Sequence, residues 1–326
     1  MVALAAGKDV FSDYSHLFSP HKFTQPQLFA CLVLKEFEKK DYRGVTQLLT
    51  DCSDLRQIIG LTEVPHYTTL QKASRRLLRQ DRVRRLLDNT VRRVRRRKKV
   101  VPYAAVDSSG FDAHHASRYF IWRRDNQKDL KNRAKKRQSY KRYGKLMIII
   151  DCKSHAILAA VASVGPTPDV AELDRVLMEL PNSQTIHHML GDAGFDSAYN
   201  HQILREEHGI ISTIPPDTGR PIKTAGKLPA DKYRRRMKTH FNRRGYRHRA
   251  QVETAISMLK RNFGSALRSR SYWGRNRDLS LRVLTHNIAL ALLRLFYRPG
   301  VSPFCVPCCV PSPFTPPARL NSFPCC

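Results

Sequence analysis

The sequence predicts an α/β protein: a mixed sheet flanked by helices, preceded by a small all-α module of helix-turn-helix-like character. Three observations carry that prediction. Apolar residues recur at helical spacing over residues 26–90. The run RRVRRRKK, Arg92 to Lys99, then sets seven cations in eight residues. From residue 100 onward, short strand-like apolar runs alternate with amphipathic helices.

In chain order, residues 1–25 form an N-terminal segment. Its start, MVALAAGKDVFSDYSH, has too short an apolar stretch and no basic lead-in for a signal peptide. QPQLFACLVLKEFEKK places Leu28, Leu32, Leu34 and Phe37 on a rough helical face. Val45, Leu48, Leu49, Leu55 and Ile58 continue the helical pattern until Pro65 stops it. TTLQKASRRLLRQDRVRRLLDNTVRR restarts it, with Thr68 or Thr69 available as an N-cap. Short helices broken at Gly60 and Pro65, the last rich in arginine, suit a helix-turn-helix-like DNA-binding module; an ordinary helical bundle is the alternative. RRVRRRKK is too dense in charge to pack and reads as a solvated linker or a phosphate-binding arm. It ends the 26–99 region and opens a second domain, 100–297.

That domain begins with VVPYAAVDSSGF, a strand ending at Asp107. KLMIIIDCKSHAILAAVASVG gives two strands, 145–151 and 156–164, turning at Lys153 and Ser154. DVAELDRVLMELP is an amphipathic helix with Asp169 near its start. IHHMLGDAGFD is a strand ending at Asp192, SAYNHQILREEHG a helix closed by Gly209, and IISTIPP a strand. A basic, turn-rich segment, 217–245, leads to the helix around Glu253. DLSLRVLTHNIALALLRLFY, 278–297, has a long apolar face that fits packing on the sheet. Residues 298–326 form a Pro-rich tail with five of the eight cysteines, read as disordered.

With 58 Lys and Arg against 27 Asp and Glu, the formal net charge is +31. A compact chain so charged repels itself unless a polyanion shares its surface. No apolar run of about 20 residues spans a membrane, and no strongly amphipathic basic helix lies on one, so nucleic acid is the partner that fits. Cys31, Cys52 and Cys152 stand singly, as reduced thiols of a cytoplasmic protein do.

Three carboxylates fall where an α/β sheet gathers its functional groups. Asp107 and Asp192 lie at the carboxyl ends of strands, each followed by small residues. On an ideal helix Val252, Ile256, Leu259 and Phe263 share a stripe about 60° wide, and Tyr246, Arg249, Glu253 and Lys260 form a second stripe roughly 80° away. Glu253 thus stands at the border of the buried face. Phosphodiester attack uses two divalent cations about 4 Å apart, which carboxylates hold, while surrounding cations position the phosphates. The alternative is a set of unrelated strand-end acids and a plain salt bridge at Glu253. Asp112 and Asp196 stand close enough to replace Asp107 and Asp192.

The spacing Tyr246-x2-Arg249-x3-Glu253-x6-Lys260 resembles the signature of DDE-type transposases of bacterial insertion sequences. VDSSGF, 106–111, and GDAGFDS, 191–197, resemble that group's first and second aspartate motifs, and residues 41–77 are similar to its N-terminal region. The likeness covers residues 25–297. It implies an RNase H-like catalytic domain using two Mg2+ or Mn2+ ions. Asp107, Asp192 and Glu253 would be the catalytic metal ligands, and Tyr246, Arg249 and Lys260 would line the DNA.

The reaction implied is hydrolysis at the terminal inverted repeats, then attack of the freed 3′-hydroxyl on target DNA. Pairing two ends of double-stranded DNA implies a homodimer on the nucleoid, with no membrane partner. A catalytically silent DNA binder and a nuclease without strand joining are the alternatives. The 61 residues from Asp192 to Glu253 leave no room for a large β-rich insertion. His114, His115, His187 and His188 are read as structural or DNA-facing. Trp273 either stacks on a base or anchors the following helix.

Overall fold

A computed structural model describes residues 1–16, 18, 20–113, 143–217 and 229–296. His114, His115 and the cysteines of the tail lie outside them.

The sheet is built on β1 (Val100–Ala113), whose alternating side chains face two layers. β2 (Tyr143–Asp151) and β3 (Ile157–Gly165) extend it antiparallel on one side, as the hydrophobic runs predict. β4 (Thr185–Leu190) and β5 (Ile211–Thr213) add in parallel on the other, giving the order β3-β2-β1-β4-β5. The short β6 (Ala266–Leu267) pairs with the far end of β1. This mixed sheet with helices on both faces is the RNase H-like arrangement.

Ala104, Val106, Met147 and Ile149 point to one face, where Leu173, Val176 and Leu177 of α7 (Leu173–Leu177) cover them with Phe195 and with Ile203 and Leu204, which follow α8 (Ala198–Gln202). Ala105, Leu146, Ile148 and Ile150 point to the other. Each such aliphatic side chain contributes about 1.5–3 kcal/mol on full burial.

The second face meets the N-terminal helices. These are α1 (Val2–Lys8), α2 (Gln25–Phe37), α3 (Tyr42–Asp51), α4 (Ser53–Ile59), α5 (Tyr67–Leu77) and α6 (Gln80–Val94). Their apolar faces join the sheet and the long C-terminal helix α12 (Tyr272–Phe296) in one continuous cluster of buried side chains. Asn287 of α12 is fully buried and locks this joint. It accepts from the Ile157 N–H at 2.9 Å and donates to the Ile157 carbonyl and to Thr90 Oγ1.

Several local readings change. The face of α2 is Leu28, Phe29, Leu32 and Val33, while Phe37 is exposed; Ile59 rather than Ile58 is buried in α4. The restart after Pro65 is capped by His66, whose Nδ1 accepts from the Thr68 N–H, and it is two helices rather than one. The cationic run packs in part. Its first residues complete α6, and Arg95 is buried against Asp151 at 3.0 Å with further bonds to the Lys98 and Val100 carbonyls. A guanidinium supplied with that many acceptors can leave water, which the charge density of the run alone does not reveal.

Candidate active site

β1 and β4 run parallel with Ala105 opposite Leu190, so Asp192, just past the end of β4, comes beside Asp107, which lies within β1 rather than at its end because that strand continues to Ala113 against β2. Glu253 comes from α11 (Ala250–Phe263), which packs Val252, Ala255, Leu259 and Phe263 inward. Glu253 is 60% exposed, further into solvent than the border position its helical angle predicts.

The helix starts later than an unbroken stripe requires. Tyr246 ends the short α10 (Arg243–Tyr246), and residues Arg247–Arg249 form a 3-10 turn before α11 begins.

The two aspartates are held alike. Asp107 Oδ1 accepts from the Ser108 N–H at 2.8 Å, and Asp192 Oδ1 accepts from the Gly194 N–H at 2.9 Å. Their Oδ2 atoms both face Arg249. Its Nη2 lies 3.4 Å from Asp107 Oδ2 and 3.6 Å from Asp192 Oδ2, and its Nη1 bonds Glu253 Oε1. One guanidinium therefore meets all three carboxylates, while its own Nε is buried without a hydrogen-bond partner. Glu253 is in a salt bridge and in the triad at once.

Burial pushes the Asp107 carboxyl above its ordinary pKa; the Ser108 N–H and Arg249 oppose this, and Asp192 and Asp169 add to it. Burial likewise raises the Tyr246 phenol, with Arg249 opposing and the three acids reinforcing the rise. Tyr246 is half-buried and stands edge-on to Phe241 at 5.0 Å. An open cleft of about 440 Å3 is lined by Asp107, Ser108, Glu253 and Lys260. Lys260 Nζ sits 5.3 Å over the Phe111 ring.

The neighbouring acids have other surroundings. Asp112 is exposed, with its backbone N–H bonded to the Ser265 carbonyl. The Asp196 side chain is wholly buried and takes a two-pronged salt bridge from Arg234, whose Nη2 lies 2.7 Å from Oδ2 and whose Nε lies 3.1 Å from each oxygen. His201 Nε2 lies 3.3 Å away and the Asp217 N–H donates at 2.8 Å. Burial alone would raise the Asp196 pKa; His201, Arg234 and the Asp217 amide outweigh it and bring it down to about 2.

His188 stacks on Tyr103 at 4.9 Å, and burial lowers its pKa, with His187 and Arg205 adding to the effect. His187 is exposed. Trp273 lies in the first turn of α12 and is 69% exposed.

Two features escape a reading of the sequence. Arg249 bridges the acids: its spacing to Glu253 marks a helical ion pair, but nothing local marks its reach to the strands. The second is Lys145, whose buried ammonium binds Asp169 at 2.6 Å and Glu172 at 3.0 Å behind the site. Burial works against its charge, and those two acids overcome it and raise its pKa. Asp169 also accepts from Ser108 Oγ at 2.7 Å, tying this cluster to the residue after Asp107.

Among the described residues no three His, Cys, Asp or Glu side chains are placed closely enough to hold a metal ion as they stand. The chemistry of the donors nevertheless fits hard divalent cations: three carboxylates, no imidazole or thiolate, converging on a single positive group. No described helix is long and apolar enough to cross a membrane.

The chain matches the family described as the transposase DDE domain over residues 102–288, more than half of its length. No curated protein matches it.

Proposed function

The chain belongs to the transposase DDE-domain family, and from that premise we propose that it is the transposase of an insertion sequence. Membership implies a metal-dependent enzyme acting on DNA. The finer reading is that it binds terminal inverted repeats as a homodimer, hydrolyses the phosphodiester at the element ends and joins the 3′-hydroxyl to target DNA, working on the nucleoid in the cytoplasm. The observation that supports it is the meeting of Asp107, Asp192 and Glu253 at one guanidinium beside an open cleft.

Asp107, Asp192 and Glu253 would hold two Mg2+ or Mn2+ ions. Bound there, such ions activate the attacking water or 3′-hydroxyl and support the leaving oxygen. The chain's own residues do the remaining work. The backbone N–H groups of Ser108 and Gly194 fix one oxygen of each aspartate and leave the other facing Arg249. Lys260, on the cleft wall, reaches a backbone phosphate as a point charge, and Tyr246 packs beside the scissile end. Arg249 is close enough to exchange a carboxylate for a phosphate, to which its fork is suited. The Lys145 cluster holds the floor beneath Asp107. Hydrolysis and joining are both in-line phosphoryl transfers, so one set of residues serves both steps.

The test uses the gene's own flanking DNA as an end-labelled duplex with Mg2+ or Mn2+. Discrete cleavage at the element boundary by the wild type, lost in Asp192→Asn while binding persists, is the expected result. Binding without cleavage in either protein would contradict it.

A further inference from the structure

Residues 232–249, KYRRRMKTHFNRRGYRHR, hold nine Lys and Arg and no acid. The segment comprises α9 (Lys232–Thr239), α10 and the 3-10 turn that leads into α11. Among its cations, Arg234 pairs with Asp196, Lys232 with Glu206 at 3.0 Å, and Arg249 with the three carboxylates. Arg235, Arg236, Arg243, Arg244 and Arg247 are exposed, and no ion pair forms on them among the described residues.

We infer that these exposed arginines form a track for the phosphate backbone of duplex DNA leading into the active site, held in place by the Asp196–Arg234 pair. The inference rests on the reading of the chain as a DNA-cleaving transposase and adds to it the surface that carries the flank of the DNA.

The segment is fixed at both ends, so its charges have a defined place. At the first end Arg234 grips Asp196, four residues beyond Asp192, and the Tyr233 hydroxyl donates to Glu206 at 2.8 Å. At the second end Gly245 lies so close to the sheet that a Cβ there would meet Tyr103 at 3.1 Å and the Asn242 side chain at 2.7 Å. His248 stacks on Tyr103 at 4.9 Å. Both anchors adjoin the triad, through Asp192 and through Arg249.

Exposed cations at such density repel one another and gain by meeting fixed anionic groups. The aromatic residues of the segment are used internally. Tyr233 packs under Arg205 and Lys232, and Phe241 packs on Tyr246. With the Tyr233 and Phe241 rings engaged by neighbouring side chains, the track suits a paired duplex read by its phosphates rather than a single strand. An eight-residue helix such as α9 is about 12 Å long, enough to follow several consecutive phosphates.

The experiment compares two triple variants that remove the same charge: Arg235→Gln with Arg243→Gln and Arg247→Gln on the track, and Lys22→Gln with Lys153→Gln and Arg175→Gln elsewhere. The affinity for a labelled duplex of the gene's flanking DNA is measured against salt concentration. Each lost phosphate contact lowers the slope of log K on log salt by about 0.9. The track triple is expected to lower the slope by about 2–3 units and the control triple by less than one unit. Amide exchange in α9 is expected to accelerate at least tenfold in Asp196→Asn, with β1 and β2 unchanged, since the pair anchors that helix locally. Equal slopes for the two triples, in a wild type that still cuts DNA, would overturn the track and leave the transposase reading intact. A wild type that neither binds nor cuts the duplex would overturn both.

Discussion

Asp192 and Asp196 lie four residues apart and meet opposite fates. The Asp196 side chain is buried and answered by its own arginine, a histidine and a backbone amide, so its charge is satisfied. Asp192, itself partly exposed, shares a single guanidinium with Asp107 and Glu253, which line an open cleft. A saturated carboxylate has nothing left to offer a ligand and holds the fold together. An undersupplied set of three retains lone pairs and excess negative charge, which is what a divalent cation requires. The structure thus separates two aspartates that a motif places almost side by side.

The largest effect expected from this difference is on chemistry. Asp192→Asn should lower the rate of boundary DNA cleavage by about 1,000-fold or more, because several kcal/mol of transition-state stabilisation depend on the ligands and each 1.36 kcal/mol is tenfold. Its effect on stability should be small by comparison, which thermal melting would check. Breaking the other aspartate's pair reverses the pattern. Arg234→Gln strands a buried charge and should cost about 3–5 kcal/mol in urea unfolding at neutral pH. Adding Asp196→Asn to that variant should recover part of the loss. No recovery would mean that the pair matters for packing rather than for charge.

Acid sharpens the comparison further. The Asp196 pKa falls from 3.8 to about 2 on folding, so its ionised form favours the native state. That contribution, about 2 kcal/mol, is complete at neutral pH and is lost as pH falls through the window from about 4 to about 2. Urea midpoints over that range should therefore drop more steeply in the wild type than in the Asp196→Asn/Arg234→Gln pair.

Asp107 has the opposite sign. Its folded pKa is raised, so its ionisation on going to neutral pH weakens the fold. Asp107→Asn should accordingly raise the urea midpoint slightly at neutral pH while abolishing cleavage. A lower midpoint would place Asp107 with the structural acids.

The sequence makes the sheet legible because its strands are long apolar runs, and β2 and β3 fall within two residues of where they are expected. Asp192 stands out for the same reason, as a carboxylate just past a buried strand, whereas the strand expected to end at Asp107 continues to Ala113 and leaves that carboxylate within it. What stays hidden depends on distant partners. DVAELDRVLMELP reads as one amphipathic helix, yet it forms a 3-10 turn followed by the five-residue α7. Asp169 and Glu172 are drawn onto Lys145 of β2, a contact that helical spacing cannot foresee. Arg95 is buried within a run whose charge argues for solvent, because Asp151 and two carbonyls receive it. The choice between Asp192 and Asp196 is of the same kind. The motif already favours Asp192, but the different surroundings of the two follow from the approach of Arg234, 38 residues beyond Asp196.

The most direct test of the triad is a Mn2+ titration followed by electron paramagnetic resonance on the protein without DNA. The wild type should bind Mn2+, Asp192→Asn and Glu253→Gln should each weaken binding at least tenfold, and Asp112→Asn should leave it unchanged. Wild-type affinity in both Asp192→Asn and Glu253→Gln, or loss in Asp112→Asn alone, would place the metal elsewhere and contradict the account.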